Sequence, residues 1–428
     1  MTVVHSGVFR PEHRAASEYR YLPVEVPAGC PGLTVRLEYD RAAGVLDLGC
    51  FGPAGFRGWS GGARDGFAIG PGYATPGYLP GPLEPGEWSV TVGLHRVPRD
   101  GLPYRITCEL AAVEPPPAGV AAPAAPPAGP AATAGGGAGA GRGGRPVLPA
   151  PSGWRWLAGD LHAHTVHSDG SLTIDELAAH AAAVGLDFLA VTDHNTVSHH
   201  PLLPAASERS GVLLLPGQEV TTDRGHANAF GDIGWIDFRR PAAEWVTEVA
   251  RRGGLLSVNH PLGGDCSWRQ PLDGHPPLAE IWHFSWLERS WGGPLAWWQA
   301  WGFGTIPVGG SDFHTPEQGR PVGTPTTWLL CEDIGDTGGE GTEGYAARVA
   351  AALDALRAGR VALTTGPDAA PVLLRLGDEL LAMRADGALL TGPDGLRVPV
   401  RGDHWSAPAG DGPYWLEDGD TRVLAISA

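Results

Sequence analysis

Residues 1–112 alternate apolar and polar positions in short runs. "YRYLPVEVP", "LTVRLEYD", "VLDLGCFGP", "EWSVTVGLH" and "YRITCELA" each carry a period of two, the period of a strand with one buried face. Turn-rich pieces such as "GPAGFRGWSGGARDG" and "ATPGYLPGPLEPGEW" separate some of them, and no helical period competes. Strands of this kind must bury one face on a second sheet, so the pattern predicts a small β-sandwich accessory domain over 1–112. The pattern then stops. Residues 113–153 contain almost no large apolar side chain and predict a Pro/Ala/Gly-rich linker, stiff in its Pro-rich half and flexible in its Gly-rich half.

From Trp154 to Pro371 the order becomes strand, loop, helix, repeated. "TIDELAAHAAAVG" opens on Thr173, carries Glu176 three residues later as a capping box, and stops at Gly185. "PAAEWVTEVARRGG" and "GYAARVAAALDALRAGR" are further predicted helices. Such alternation specifies an α/β domain with a mainly parallel sheet and helices packed outside it. Residues 372–428 return to short strands and glycine turns, and predict a β-rich appendage.

Composition narrows the partners. The 428-residue chain carries a formal net charge of −17, which argues against nucleic acid or an anionic membrane as the main partner. A small-molecule substrate is expected, and an anionic one stays open because a bound cation reverses the local potential. The start "MTVVHSGVFRPEH" lacks a basic segment followed by an apolar core, and no run of about twenty apolar residues occurs. The five cysteines are scattered outside CxxC pairs, which predicts buried free thiols in a reducing, cytoplasmic setting. Oligomeric state is left open.

Metal-capable residues sit where the predicted strands end. "WRWLAGDLHAH" ends in His162 and His164, "LDFLAVTDH" in Asp193 and His194, and "VLLLPGQE" in Glu219. "HANAFG" begins with His226, "GGLLSVNH" ends in His260, and "GTIPVGGSDFH" ends in Asp312 and His314. The C-terminal ends of barrel strands share one face, so these groups are expected to converge there. Asp169 lies in a Ser-Asp-Gly turn that can fold back over them. Nitrogen and carboxylate donors without thiolate suit Zn, Mn or Fe, and their number exceeds the needs of one ion. Two or three divalent ions are expected, with Glu219 as a bridge. Asp193 can orient a neighbour instead of ligating. His167, His199 and His200 read as surface residues, and His180, within a helix, as lying outside the site. His226 has an ordinary turn residue as its alternative.

In this order, "DLHAHTVHSDG", "VTDHN", "GQE", "GHAN", "NHP" and "GGSDFH" resemble the PHP (polymerase and histidinol phosphatase) metallohydrolases, closest to their CehA/McbA-like branch, over about 155–370. The resemblance implies a distorted seven-stranded βα barrel, TIM-like, with ions at its C-terminal mouth. It implies His162, His164, Glu219 and Asp312 as ligands of a first ion. Asp169, His194 and Glu219 would hold a second, and His226, His260 and His314 a third.

The expected chemistry is hydrolysis by a hydroxide held between two cations. With the third site empty, His226, His260 or His314 would protonate the leaving group, with Asp312 counted in the same catalytic set. Phosphoester hydrolysis on a small phosphorylated compound is the first reading, with Arg224 and Arg320 either gripping phosphate or standing as solvated charges. Amide, ester or carbamate hydrolysis is the second. Its cue is the segment 267–302 with its seven tryptophans, although Trp297, Trp298 and Trp301 have the spacing of a packed helix. A metal-stabilised binding module without catalysis is the third.

Overall fold

The computed structural model describes residues 1–113, 145, 147–272, 274–286, 292–333, 341–368 and 371–428. The chain divides into two units, Met1–Arg57 with Arg64–Pro146, and Gly58–Ala63 with Val147–Ala428. The expected linker falls mostly on 114–144 and 146, outside the described residues.

The first 110 residues contain β1 (Thr2–Phe9), the short helix α1 (Pro11–Ala16), β2 (Tyr19–Val26), β3 (Leu33–Tyr39), β4 (Val45–Gly52), β5 (Gly55–Gly61), β6 (Gly66–Ile69), β7 (Gly86–Arg96) and β8 (Leu102–Leu110). They form two four-stranded sheets, ordered β1-β8-β3-β6 and β2-β7-β4-β5. On β3 the period of two is visible residue by residue: Leu33, Val35 and Leu37 are buried while Thr34, Arg36 and Glu38 are exposed. These meet Val24, Leu48, Trp88 and Val90 of the other sheet in one core, the packing of a sandwich.

The second unit begins earlier than the strand pattern shows. Leu148 and Ala150 pack beside Trp156 and Trp328, and the Trp156 indole donates to the Pro149 carbonyl at 2.9 Å. Seven strands then follow: β9 (Trp154–Asp160), β10 (Phe188–Val191), β11 (Leu213–Thr222), β12 (Gly225–Phe230), β13 (Leu255–Val258), β14 (Leu278–His283) and β15 (Ile306–Gly310). β9, β10 and β11 run parallel, as do β13, β14 and β15. β12 is antiparallel to both its neighbours, a departure from the mainly parallel order. Its cause is local: Thr222 pairs with Gly225, so only Asp223 and Arg224 join β11 to β12, and a connection that short can only reverse the chain. Just past the ends of β9 and β15, Ala163 and Phe313 form a parallel bridge, and the His164 amide donates to the Phe313 carbonyl at 2.9 Å.

Helices are few: α2 (Ile174–Ala183), α3 (Leu203–Ser210), α4 (Ala242–Arg251), α5 (Gly292–Trp301) and α6 (Gly341–Arg357). α2 starts as its sequence predicts, with the Thr173 amide donating to the Glu176 carboxylate at 2.8 Å and the Glu176 amide donating to Thr173 Oγ1 at 3.3 Å. It buries Ile174, Leu177, Ala178 and Ala181, the stripe of a helix lying on a sheet.

Among the described C-terminal strands, four continue this sheet and three form a small sheet of their own. β16 (Thr326–Glu332) pairs with β9 and β17 (Val361–Thr364) with β16. Among the tail strands β18 (Val372–Leu376), β19 (Glu379–Met383), β20 (Leu389–Thr391), β21 (Arg397–Pro399), β22 (His404–Pro408), β23 (Tyr414–Glu417) and β24 (Val423–Ser427), β24 pairs with β17 and β23 with β24. Trp415, Val423 and Ile426 enter the main core. Apolar side chains need partners, and the last strands find theirs on the open side of β17.

The tryptophan segment is largely structural. Trp282 and Trp298 are fully buried, and Trp268, Trp297 and Trp301 pack against the same core. Trp291 lies outside the described residues. The Trp298 indole also donates to the Thr305 carbonyl at 3.0 Å. Trp298→Ala is expected to lower stability by about 3–5 kcal/mol through the cavity it leaves, measured as a shifted midpoint in denaturant unfolding.

All five cysteines are free; Cys30, Cys50, Cys108 and Cys331 are buried and Cys266 half-buried. Burial pushes the Cys108 and Cys331 thiols up to about 11, away from reactivity. Among the described residues no helix is long and apolar enough to cross a membrane.

Candidate metal centre

The strand order brings the chemistry to one end of the sheet. His162 and His164 follow β9, His194 follows β10, Glu219 lies within β11, His260 follows β13, and Asp312 and His314 follow β15. His226 is the second residue of β12, and because β12 runs the other way its beginning lies where its neighbours end. The backbone is bent to achieve this. His260 and Asp312 adopt φ of +26° and +48°, a region that costs a side-chain-bearing residue on the order of 1–3 kcal/mol.

Glu219, with no solvent exposure, is the hub. Its Oε1 lies 3.2 Å from His162 Nε2, 3.1 Å from His226 Nδ1 and 3.4 Å from His260 Nε2. Its Oε2 lies 2.6 Å from His194 Nδ1 and 3.7 Å from His164 Nε2. Asp312 Oδ1 is 3.2 Å from His162 Nε2 and 3.0 Å from His164 Nε2. Asp169 Oδ1 is 3.5 Å from His194 Nε2 and 3.3 Å from His314 Nε2. Four overlapping sets emerge whose donor atoms all lie within 4.8 Å of one another: His164, Asp169, His194 and His314; His162, His260 and Asp312; His162, His164 and Glu219; and His194, Glu219 and His226. All nine ligand candidates read from the sequence are therefore in one cluster.

Residues 160–256 match the PHP domain family. The chain's curated relatives include the 5′-3′ exoribonuclease Rnm of Salmonella typhimurium, 42% identical over 65 residues, which are 15% of this chain and 22% of that protein. Another is the 3′,5′-nucleoside bisphosphate phosphatase of Chromobacterium violaceum, 37% identical over 97 residues, 22% of this chain and 34% of that protein. The chain thus spans between about a fifth and a third of the length of these relatives. Among solved structures, a two-domain protein of Bacteroides vulgatus containing a predicted PHP-like metal-dependent phosphoesterase is 18% identical, with 68% of this chain and 91% of that one covered and a TM-score of 0.39.

Within the cluster the grouping differs from the expected one. His314 stands with His164, Asp169 and His194, not with His226 and His260. Its amide donates to Gln318 Oε1 at 2.9 Å and its carbonyl accepts from the Ser171 amide at 2.8 Å, which ties it to the loop carrying Asp169. His260 stands instead with His162 and Asp312.

Three histidines expected at the surface are inside. His199 is fully buried, with Nε2 3.0 Å from both the Val191 and Gly217 carbonyls. The His200 side chain is 8% exposed and reaches the same Gly217 carbonyl at 3.0 Å. His167 is buried, its Nδ1 2.7 Å from Ser198 Oγ. Strand ends leave carbonyls that buried donors must satisfy, and His199 and His200 fold inward to do so, whereas His167 is held by Ser198. None of the three belongs to the ligand sets, and neither does His180, which is half-buried on α2 with its ring 5.4 Å from that of Phe313. Asp193 acts as an anchor: it accepts from the Thr165 amide at 2.8 Å, Thr165 Oγ1 at 2.7 Å and Ser168 Oγ at 2.6 Å.

The sequence pattern missed Glu280, His283, Asn259 and Asp160. Asn259 donates to Glu219 Oε1 at 2.8 Å. Asp160, fully buried, accepts from the amides of His162, Ser311 and Gly323 at 3.1, 3.0 and 2.7 Å. A signal existed for the pair on β14: a Glu and a His inside the apolar run "LAEIWH" are costly unless partnered. Arg224 is exposed at the β11–β12 turn, while Arg320 is engaged with Phe284, donating to its carbonyl and stacking 5.1 Å over its ring.

The charges are balanced locally. Burial opposes the charged form of His162, but Asp312, Glu219 and Glu280 outweigh it and hold its pKa well above the ordinary value. His194 is raised to about 9, with Asp169 and Glu219 overcoming burial. His164 is lowered to about 4 by burial and by the neighbouring His314 and His194. Burial works against ionised Glu219 and Asp312 too, yet the surrounding imidazoles keep both well below the carboxylate range.

The donor set fits a cation. His162 Nε2 and His164 Nδ1 are buried without a hydrogen-bond partner, and imidazole with carboxylate is the chemistry of zinc, manganese and iron sites. Histidines whose pKa is raised hold protons at neutral pH and must lose them to ligate. Zinc or manganese uptake at pH 7 is therefore expected to release protons, and apparent affinity to rise with pH. Calorimetric titration in two buffers of different ionisation enthalpy measures this; identical heats in both would contradict it.

Proposed function

We propose that this chain is a metal-dependent phosphoesterase acting on a small phosphorylated compound. The observation that carries the reading is Glu219, a fully buried carboxylate set among five imidazoles at the open end of the sheet. The match to the PHP domain supports it, as do relatives named as a bisphosphate phosphatase and a phosphoribosyl cyclic phosphate diphosphodiesterase. We read the arc from β9 to β15, linked through Ala163 and Phe313, as a distorted seven-stranded barrel of the CehA/McbA-like kind, holding two or three ions of zinc, manganese or iron. The free thiols fit a reducing, cytoplasmic setting. The net charge of −17 favours a small substrate over a nucleic-acid strand.

Bound divalent ions would supply Lewis acidity and a nucleophile drawn from water. His162, His260 and Asp312 with Glu219 would hold one, His164, Asp169, His194 and His314 another, and His226 with Glu219 and His194 a third. The chain itself excludes bulk water from the floor of the site, since His162, His164 and His260 are almost wholly buried. His226 and His314 keep 15% and 26% of their side chains exposed, so proton delivery to a leaving group falls to whichever of them does not ligate an ion. The carbamate reading has the weaker support, because Trp268, Trp282, Trp297, Trp298 and Trp301 pack in or against the core.

The test compares p-nitrophenyl phosphate with p-nitrophenyl N-methylcarbamate, which have the same leaving group, on metal-reconstituted protein with Asp312→Ala as the blank. Faster phosphate turnover, lost in the blank, is expected. Faster carbamate turnover would overturn the phosphoesterase reading, and no turnover above the blank would favour a binding module.

A further inference from the structure

Strand β14 carries none of the nine ligand candidates, yet it sends a carboxylate into the floor of the centre. Glu280 is 2% exposed. Its Oε1 lies 3.2 Å from His162 Nδ1, and its Oε2 accepts the His260 backbone amide at 2.7 Å. Two histidines from different strands therefore hang on one side chain. The pairing with β15 shifts between Glu280 and Trp282, an irregularity of the kind that re-aims a side chain. The opposite strand leaves room: a Cβ on Gly310 would stand 2.1 Å from Glu280 Oε1 and 2.5 Å from His162 Cβ. A side chain at 310 and Glu280 in this position are mutually exclusive.

We propose that Glu280 is a positioning residue that sets the tautomer and aim of His162. A carboxylate only accepts, so the His162 nitrogen facing Glu280, Nδ1, carries hydrogen. An arriving cation then takes the place of the proton on Nε2, which points at Glu219 and Asp312, 3.2 Å from an oxygen of each. An outer carboxylate that fixes a ligating imidazole in this way also raises its basicity. Through the His260 amide the same carboxylate fixes the backbone of a second ligand, at a residue whose φ is +26°. The strand ends on His283, whose Nε2 is 3.5 Å from Asp312 Oδ2, so β14 backs three ligands without supplying one.

The proposal rests on the reading of the cluster as a metal centre, and one titration separates the two. Zinc and manganese chloride are titrated into the full chain and into Glu280→Gln, with ion content and affinity as readouts. Glutamine matches the size but offers one oxygen, so it cannot accept from both partners. The expected result is full uptake by the unaltered chain and about 10–100-fold weaker binding of one ion in Glu280→Gln, the other ions being held as before. Superimposable isotherms would overturn the role of Glu280 alone. No uptake by the unaltered chain would overturn both it and the metal-centre reading. Should Glu280→Gln not fold, nitrogen-15 spectra of the zinc-loaded unaltered chain decide. A protonated Nδ1 on His162 is expected, and a metal-bound Nδ1 would overturn the proposal.

Discussion

Glu219→Ala is expected to abolish the centre as a unit. The substitution takes away the one side chain that touches His162, His164, His194, His226 and His260 together. A shared carboxylate cannot be replaced by water at equal strength in so buried a place, so every ion it contacts is weakened at once. Phosphoesterase turnover should fall by at least about a thousandfold, equivalent to ~4 kcal/mol of lost transition-state stabilisation. The metal-free fold suffers as well, because breaking a buried ionic network by removing one partner costs about 3–5 kcal/mol. Glu219→Gln keeps the packing and separates the effects: turnover should still collapse, with a smaller loss of stability. Ion content by mass spectrometry, read with turnover, checks this. An alanine variant with unchanged ion content would remove Glu219 from the centre.

Stripping the ions is expected to have the second largest effect. In their absence the same end of the sheet holds several charged imidazoles against buried carboxylates, with Glu219 fully enclosed and Asp312 21% exposed. An ion that binds only the folded chain, at a thousand times its dissociation constant, adds about 4 kcal/mol of stability. For a domain of this size each kcal/mol is worth roughly 2–4 °C, so one site contributes on the order of 10 °C. Thermal unfolding with excess chelator and then with excess zinc or manganese should show a shift of at least that size. Identical midpoints would contradict a metal-coupled fold.

Much of this arrangement was legible in the order of the residues. "DLHAH", "VTDH" and "SDFH" each follow an apolar run, and runs of that kind become strands whose ends meet. The α2 start at Thr173 was legible for a similar reason, since a capping box is a local contract between two side chains. Three kinds of feature were not. The reversal of β12 depends on a two-residue turn whose significance appears only once Thr222 is seen opposite Gly225. The inward turn of His199 and His200 depends on carbonyls contributed by other strands, and that of His167 on Ser198, so polarity in a loop does not mean exposure here. The place of His314 depends on Gln318 and Ser171, contacts that spacing from Asp312 does not encode. Glu280 shows the same limit most sharply. On its own strand it is one acidic residue between apolar ones, and only the absence of a side chain at Gly310 makes sense of where it goes.

The most direct test of the central claim is anomalous X-ray diffraction from crystals grown with manganese or zinc, collected at the metal edge. Two or three peaks are predicted, all inside the cluster, with at least two of them in contact with Glu219 and one between Asp169, His194 and His314. No peak within reach of Glu219, or ions bound elsewhere on the chain, would contradict it.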